Sequence, residues 1–142
     1  MAISARNVFA GTVSEIREGA VNAEVSLSIT GGDVIVATVT LDSLKALGLS
    51  VGKAVTAFVK APSVMVVTGD DSVCYSARNH LKGLVSELKT GAVNSEVVVK
   101  LAGGSEVKAI ITNDAVTDLG LVVGSAASVL FKAGSVILGV SV

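Results

Sequence analysis

Shifted by 72 residues, the chain aligns with itself without a gap: Ser4 to Thr68 lies against Ser76 to Val140, and about 29 of the 65 aligned positions are identical. Self-similarity at that level restricts the chain to two like structural units, each solving the same folding problem. The identities are clustered. S-A-R-N recurs at 4–7 and 76–79, G-x-V-S-E at 11–15 and 83–87, G-A-V-N-x-E-V at 19–25 and 91–97, and Gly-Gly at 31–32 and 103–104. L-G-L-x-V-G follows at 47–52 and 119–124, and K-A-x-S-V at 60–64 and 132–136. Between the copies runs TGDDSVCY, whose Gly-Asp-Asp reads as a polar turn and a natural linker. The expected organisation is a first domain at 1–69, a linker at 70–75 and a second domain at 76–142. Domains this small commonly gain stability by packing on partners.

Each copy reads as mostly β. In the first, VFAGTVSEI, VNAEVSLSIT, DVIVATVT, KAVTAFVKA and VMVVT are short, Val-rich and partly alternating. Gly31-Gly32 predicts a tight hairpin, because paired glycines supply the positive φ such turns require. The exception is LDSLKALGL. Its Leu41, Leu44 and Leu47 recur every three residues, Thr40 is placed to cap the start and Gly48 to end it, which predicts one short helix. Five strands with a helix after the third is the order of a small OB-like barrel, so the expected fold is all-β, two tandem five-stranded barrels.

Composition excludes several functions. With 51% apolar residues over 142 positions, the chain has ample material for a core and for buried subunit contacts. The apolar runs are broken by Thr, Lys or Gly well short of a membrane span of about 18 residues, and MAISARN lacks the build of a signal peptide; a soluble, cytoplasmic protein is expected. One cysteine, Cys74, and one histidine, His80, form no structural zinc set, and neither has a counterpart in the other copy. A net charge of −1 gives no electrostatic basis for binding nucleic acid or anionic membrane.

Catalysis has little support, and no enzyme is expected. A Ser-His-Asp system needs a histidine in each site, but His80 aligns with Val8. Glu15 with Glu87, Glu24 with Glu96 and Asp42 with Asp114 are repeated, though such carboxylates read as solvated groups or helix-dipole partners. The stretch from Gly48 to Lys53 is one residue short of a phosphate-binding loop and loses its lysine to Ser125 in the second copy. Anion binding fits better. Arg6 with Arg78 and Lys60 with Lys132 are repeated, whereas Lys45 and Lys53 are not. Arginine offers an oxyanion a planar fork of donors, and lysine a compact charge. Ser4 and Ser76 stand beside the arginines; Thr40, Ser43 and Thr112 stand at the helix starts, where unpaired N–H groups favour an anion. The structural alternative is that Thr40 only caps its helix and Arg6 pairs with a glutamate.

Taken together, S-A-R-N, G-A-V-N-x-E-V, the Thr segment before the helix and the terminal K-A-x-S-V resemble the Mop-type molybdate-binding domain of the molbindins. The resemblance covers nearly the whole chain twice. It implies OB-like domains that bind molybdate, or tungstate, as an intact tetrahedral dianion for storage and buffering, and a homotrimer of six domains. Ser4, Arg6 and Asn7, repeated as Ser76, Arg78 and Asn79, would meet Thr40 and Ser43, or Thr112 and Ala115. The turn at Lys60, Ala61 and Ser63, or at Lys132, Ala133 and Ser135, would complete each site. Ala115 in place of Ser43 removes a hydroxyl, so the second site is expected either to rely on a main-chain amide or to bind more weakly. Gly19, Ala20, Val21 and Asn22, with Gly91, Ala92, Val93 and Asn94, resemble the family's axial type of site, where symmetry-related loops converge. An OB module for oligonucleotide or oligosaccharide is the rival, but 3% aromatic content provides few stacking platforms. A purely structural trimerisation module would leave the repeated cations unexplained.

Overall fold

The computed structural model describes residues 1–69 and 72–142; the Asp-Asp pair of the expected linker lies outside the described residues. The first copy supplies β1 (Asn7–Glu18), β2 (Asn22–Ile29), β3 (Val34–Thr40), α1 (Leu41–Ala46), β4 (Ala54–Val59) and β5 (Met65–Val67). The second repeats the order with β6 (Asn79–Thr90), β7 (Asn94–Leu101), β8 (Glu106–Thr112), α2 (Asn113–Asp118), β9 (Ala126–Phe131) and β10 (Ile137–Gly139). A 3-10 turn, Ala61–Ser63 or Ala133–Ser135, precedes each last strand.

Local chemistry accounts for these elements. Along β1 the buried side chains fall on odd positions, Asn7, Phe9 and Val13, and then Ile16 turns inward instead. A bulge between Val13 and Glu15 makes the switch, and β6 has its equivalent between Val85 and Glu87. One extra residue exchanges the two faces of a strand, so a single long strand can serve both halves of a curled sheet. The short helices start where expected. Thr40 Oγ1 accepts from Ser43 N and Thr112 Oγ1 from Ala115 N, both at 3.1 Å, which satisfies donors that a helix start leaves unpaired.

Pairing gives two five-stranded antiparallel sheets, ordered β10-β4-β1-β2-β3 and β5-β9-β6-β7-β8. The fifth strand of each sheet therefore comes from the other copy. Ile137 of β10 pairs with Phe58, and Met65 of β5 with Leu130. Both sheets curl until their edges approach, β10 towards β3 and β5 towards β8. The result is a pair of half-barrels that exchange their closing strands.

The core follows from that exchange. Val13, Val25, Leu27 and Ile35 of the first copy and Val85, Val97, Val107 and Phe131 of the second are at most 1% exposed and belong to one continuous apolar cluster. Each such side chain stabilises the fold by about 1.5–3 kcal/mol. The glycine hairpins also meet. A Cβ on Gly31 would lie 2.0 Å from the Gly103 carbonyl oxygen, so the backbones touch where any side chain would intrude. Gly103 N donates to Asp33 Oδ2 at 3.2 Å and Ser105 Oγ to the Thr30 carbonyl at 3.0 Å, which fastens the contact.

Candidate functional site

The S-A-R-N segments sit where the copies meet. Asn7 pairs with Val59 and Asn79 with Phe131 as the outermost rungs of their ladders. One step further out, Arg6 and Lys60 leave one pair of strands side by side, and Arg78 and Lys132 leave the other. Two positive charges are thus delivered to one end of each sheet.

The asparagines anchor that end to the opposite copy. Asn7 Nδ2 donates to the Lys108 carbonyl at 2.8 Å, and its Oδ1 accepts from Lys108 N at 2.7 Å. Asn79 does the same with Val36, both bonds at 2.8 Å. A carboxamide matches the donor and acceptor of a peptide group, so each asparagine acts as one extra rung on the free edge of β8 or β3. Both are about 1–2% exposed. Sequence reasoning placed Asn7 and Asn79 among oxyanion ligands, but their described partners are these main-chain groups.

The adjacent arginines reach into the opposite copy. Arg6 Nη1 lies 2.6 Å from Glu96 Oε2, and Arg78 Nη2 lies 2.8 Å from Glu24 Oε1. Each arginine opens onto a cleft. One, of about 470 Å³, is lined by Arg6 with Lys89, Gly91, Asn94, Glu96 and Ile110. Its counterpart, about 340 Å³, has Arg78 with Arg17, Gly19, Asn22, Glu24 and Thr38. Arg17 is held firmly protonated by its hydrogen bond to Glu15, by the charge of Glu15 and by that of Glu24. Glu24 and Glu96, expected to be solvated or to serve a helix dipole, are thus the arginines' partners. The signal was present in the repeated Glu of G-A-V-N-x-E-V.

The clefts join residues that the sequence reading had assigned to separate sites. The G-A-V-N turns are closed by Gly19 N to the Asn22 carbonyl at 2.8 Å and Gly91 N to the Asn94 carbonyl at 2.9 Å. Their Val21 and Val93 carbonyls accept from Leu41 N and Asn113 N, tying each turn to a helix start. Val21 and Val93 themselves project outward, 72% and 71% exposed, flanked by exposed Ala20 and Ala92. Thr40 lies two residues beyond Thr38, and Thr112 two beyond Ile110, on the same strand face as each cleft. Thr40 Oγ1 also donates to Ser43 Oγ at 2.9 Å.

Other expected residues stand outside the clefts. Ser4, Ser63, Ser76, Lys60 and Lys132 are exposed and Ser135 half-buried, while Ala61 and Ala133 are buried beneath their turns and Ala115 is half-buried. Those turns pack against β8 and β3 of the opposite copy, at the same interface as the arginines. The structure thus gathers each arginine with a G-A-V-N turn, and sets the lysine turns and capping threonines on adjoining surfaces.

The two G-A-V-N turns are held differently. Ser95 Oγ donates to Asn113 Oδ1 at 2.5 Å, and Asn113 Nδ2 to the Gly91 carbonyl at 2.9 Å. Ala23 and Leu41 occupy those positions in the first copy, so only the second G-A-V-N turn has a polar brace. Another cleft, about 550 Å³, lies away from these residues; Leu84, Val85, Leu101, Ala102 and Val123 dominate its walls, with Lys82, Ser86 and Lys100 also lining it. Its surface is chiefly apolar, and neither lysine is repeated in the other copy, where Ala10 and Ser28 stand.

Comparison with known proteins places these features in a family. The model of the TOBE domain matches residues 3–66 and again 75–138. The molybdenum transport protein ModE of Herbaspirillum seropedicae is 42% identical over 140 residues, covering 99% of this chain and 52% of its own. The molybdenum-pterin-binding protein MopA of Rhodobacter capsulatus is 41% identical over 138 residues, covering 97% and 52%. The chain spans about half the length of these curated relatives. Among solved structures, the cytoplasmic molybdate-binding protein ModG, in a form with molybdate bound, superposes with a TM-score of 0.95 at 52% identity, covering 99% of this chain and all of that one.

Proposed function

The chain belongs to the TOBE domain family, carried twice in tandem, and from that premise we propose that it binds molybdate, with tungstate as an alternative ligand, to store and buffer it in the cytoplasm. The observation that carries this reading is the pair of clefts in which an S-A-R-N arginine of one copy faces the G-A-V-N turn of the other. An arginine fork, a neighbouring lysine and a hydroxyl-capped helix start are donors suited to a tetrahedral dianion held through its oxygens. No chemistry is asked of the anion, so the protein acts as a binder and not as an enzyme. The 52% identity to a structure described as holding molybdate adds weight.

The working unit in this proposal is a homotrimer built from copies 1–69 and 76–142. Ser4, Arg6, Lys60 and Ser63, with their counterparts Ser76, Arg78, Lys132 and Ser135, contribute to sites at copy and subunit boundaries together with Thr40, Ser43 and Thr112. The G-A-V-N turns form the axial sites, and their exposed valine tips are the surfaces a neighbouring subunit would cover. Since sulfate matches molybdate in charge and shape, discrimination falls to cavity size. Isothermal titration of the oxyanion-free protein with molybdate, a parallel sulfate titration and native mass measurement test the proposal together. Saturable molybdate binding by a trimer, with sulfate much weaker, is expected. Absence of binding in direct titration and in competition with tungstate would overturn it.

A further inference from the structure

We propose that Glu24 and Glu96 are built-in competitors for the oxyanion arginines, weakening the hold on molybdate so that it can be released. This rests on the reading of Arg6 and Arg78 as ligands. Each arginine gives one terminal nitrogen to its glutamate, and the contacts are short, 2.6 Å for Arg6 with Glu96 and 2.8 Å for Arg78 with Glu24. A guanidinium has five N–H donors, so such a contact occupies the fork without exhausting it. The anion and the carboxylate compete for one group.

The two partners are unequally fixed. The arginine side chains are 57% and 54% exposed, whereas those of Glu96 and Glu24 are 11% and 27% exposed and stand on β7 and β2, each paired on both sides. The carboxylate is therefore the stationary member, and the long arginine is the one that can turn between it and a bound anion. Charge points the same way. Glu96 offsets the charge that Arg6 brings to its cleft, and Glu24 that of Arg78. In the other cleft Glu24 faces both Arg78 and Arg17; in the first, Lys89 lines the wall beside Glu96. Removing either carboxylate charge makes its cleft more positive by one unit, while Glu18 still lines the second cleft and Glu15 and Glu87 still pair with Arg17 and Lys89.

In an open cleft with screening close to that of bulk water, a unit charge several ångströms from a dianion is worth about a tenfold change in binding. The test uses the full chain in low-salt buffer, titrated with sodium molybdate, as wild type, as Glu24→Gln with Glu96→Gln, and as Arg6→Ala with Arg78→Ala. Glutamine keeps the size and an acceptor oxygen but loses the charge. The glutamine variant is expected to bind about tenfold tighter and, in a stopped-flow chase with tungstate, to release molybdate more slowly. Glu24→Asp with Glu96→Asp, which draws the carboxylate back by one methylene, is expected to show part of the gain and serves if the glutamine variant fails to fold. If the arginine variant binds weakly but the glutamate variants bind no tighter than wild type, the glutamates only position the arginines and the inference is overturned. If the arginine variant binds as wild type, the arginines are not ligands and both readings fall.

Discussion

Within four letters, S-A-R-N assigns two different tasks. Asn7 and Asn79 are buried rungs between the copies, while Arg6 and Arg78 are surface cations with a carboxylate to hold. Replacing either asparagine by alanine removes two hydrogen bonds and strands a main-chain N–H and C=O, at about 1–3 kcal/mol per unsatisfied group. Asn7→Ala and Asn79→Ala are each expected to cost about 2–4 kcal/mol by urea denaturation. Arg78→Ala, by contrast, breaks an ion pair more than half exposed on the arginine side, and a loss of at most about 1 kcal/mol is expected. Arg6→Ala should cost somewhat more, because Glu96 is only 11% exposed and is left with a charge to solvate. The motif was conspicuous in the sequence; the division of labour was not. Asparagine and arginine are both polar ends of a strand there, and only the register across the copies shows that one meets a peptide group and the other a carboxylate.

At the level of elements, the strands and helices were legible because their signals are local: valine alternation, a threonine cap, glycine pairs at the hairpins. The exchange of closing strands was not. Met65–Val67 and Ile137–Gly139 are three residues each, and an apolar triplet looks the same whichever sheet it joins. Removing residues 137–142 is therefore expected to damage the first copy and not the second, seen as faster amide hydrogen exchange at Thr56 to Phe58, which β10 covers. The glycine hairpins carry a graded prediction. Gly32 has φ +94° with no neighbour in the way of a Cβ, so Gly32→Ala should cost about 1–2 kcal/mol of backbone strain. Gly31 has φ +92° and also touches Gly103, so Gly31→Ala should lower the melting temperature considerably further. Equal losses would mean that the hairpins do not hold the copies together.

For the whole molecule, the linker is expected to matter little once folding is complete. A chain cut at a protease site placed after the exposed Val73 should keep its halves together through gel filtration, because β5, β10, both asparagine rungs and a shared core join them. Halves that separate on cutting would show that the exchange depends on the tether. The brace of Ser95 and Asn113 on one turn only means that the two halves, though alike in outline, are not interchangeable.

The exchanged strands also bear on dilution. Were the halves separate polypeptides, the pairing would be a bimolecular encounter, favoured only above its dissociation constant. Joined in one chain, each half meets the other at an effective concentration on the order of millimolar, whatever the amount of protein present. Since each cleft takes its arginine from one half and its turn from the other, that pairing is independent of protein abundance, and only contacts between separate chains would remain subject to dilution.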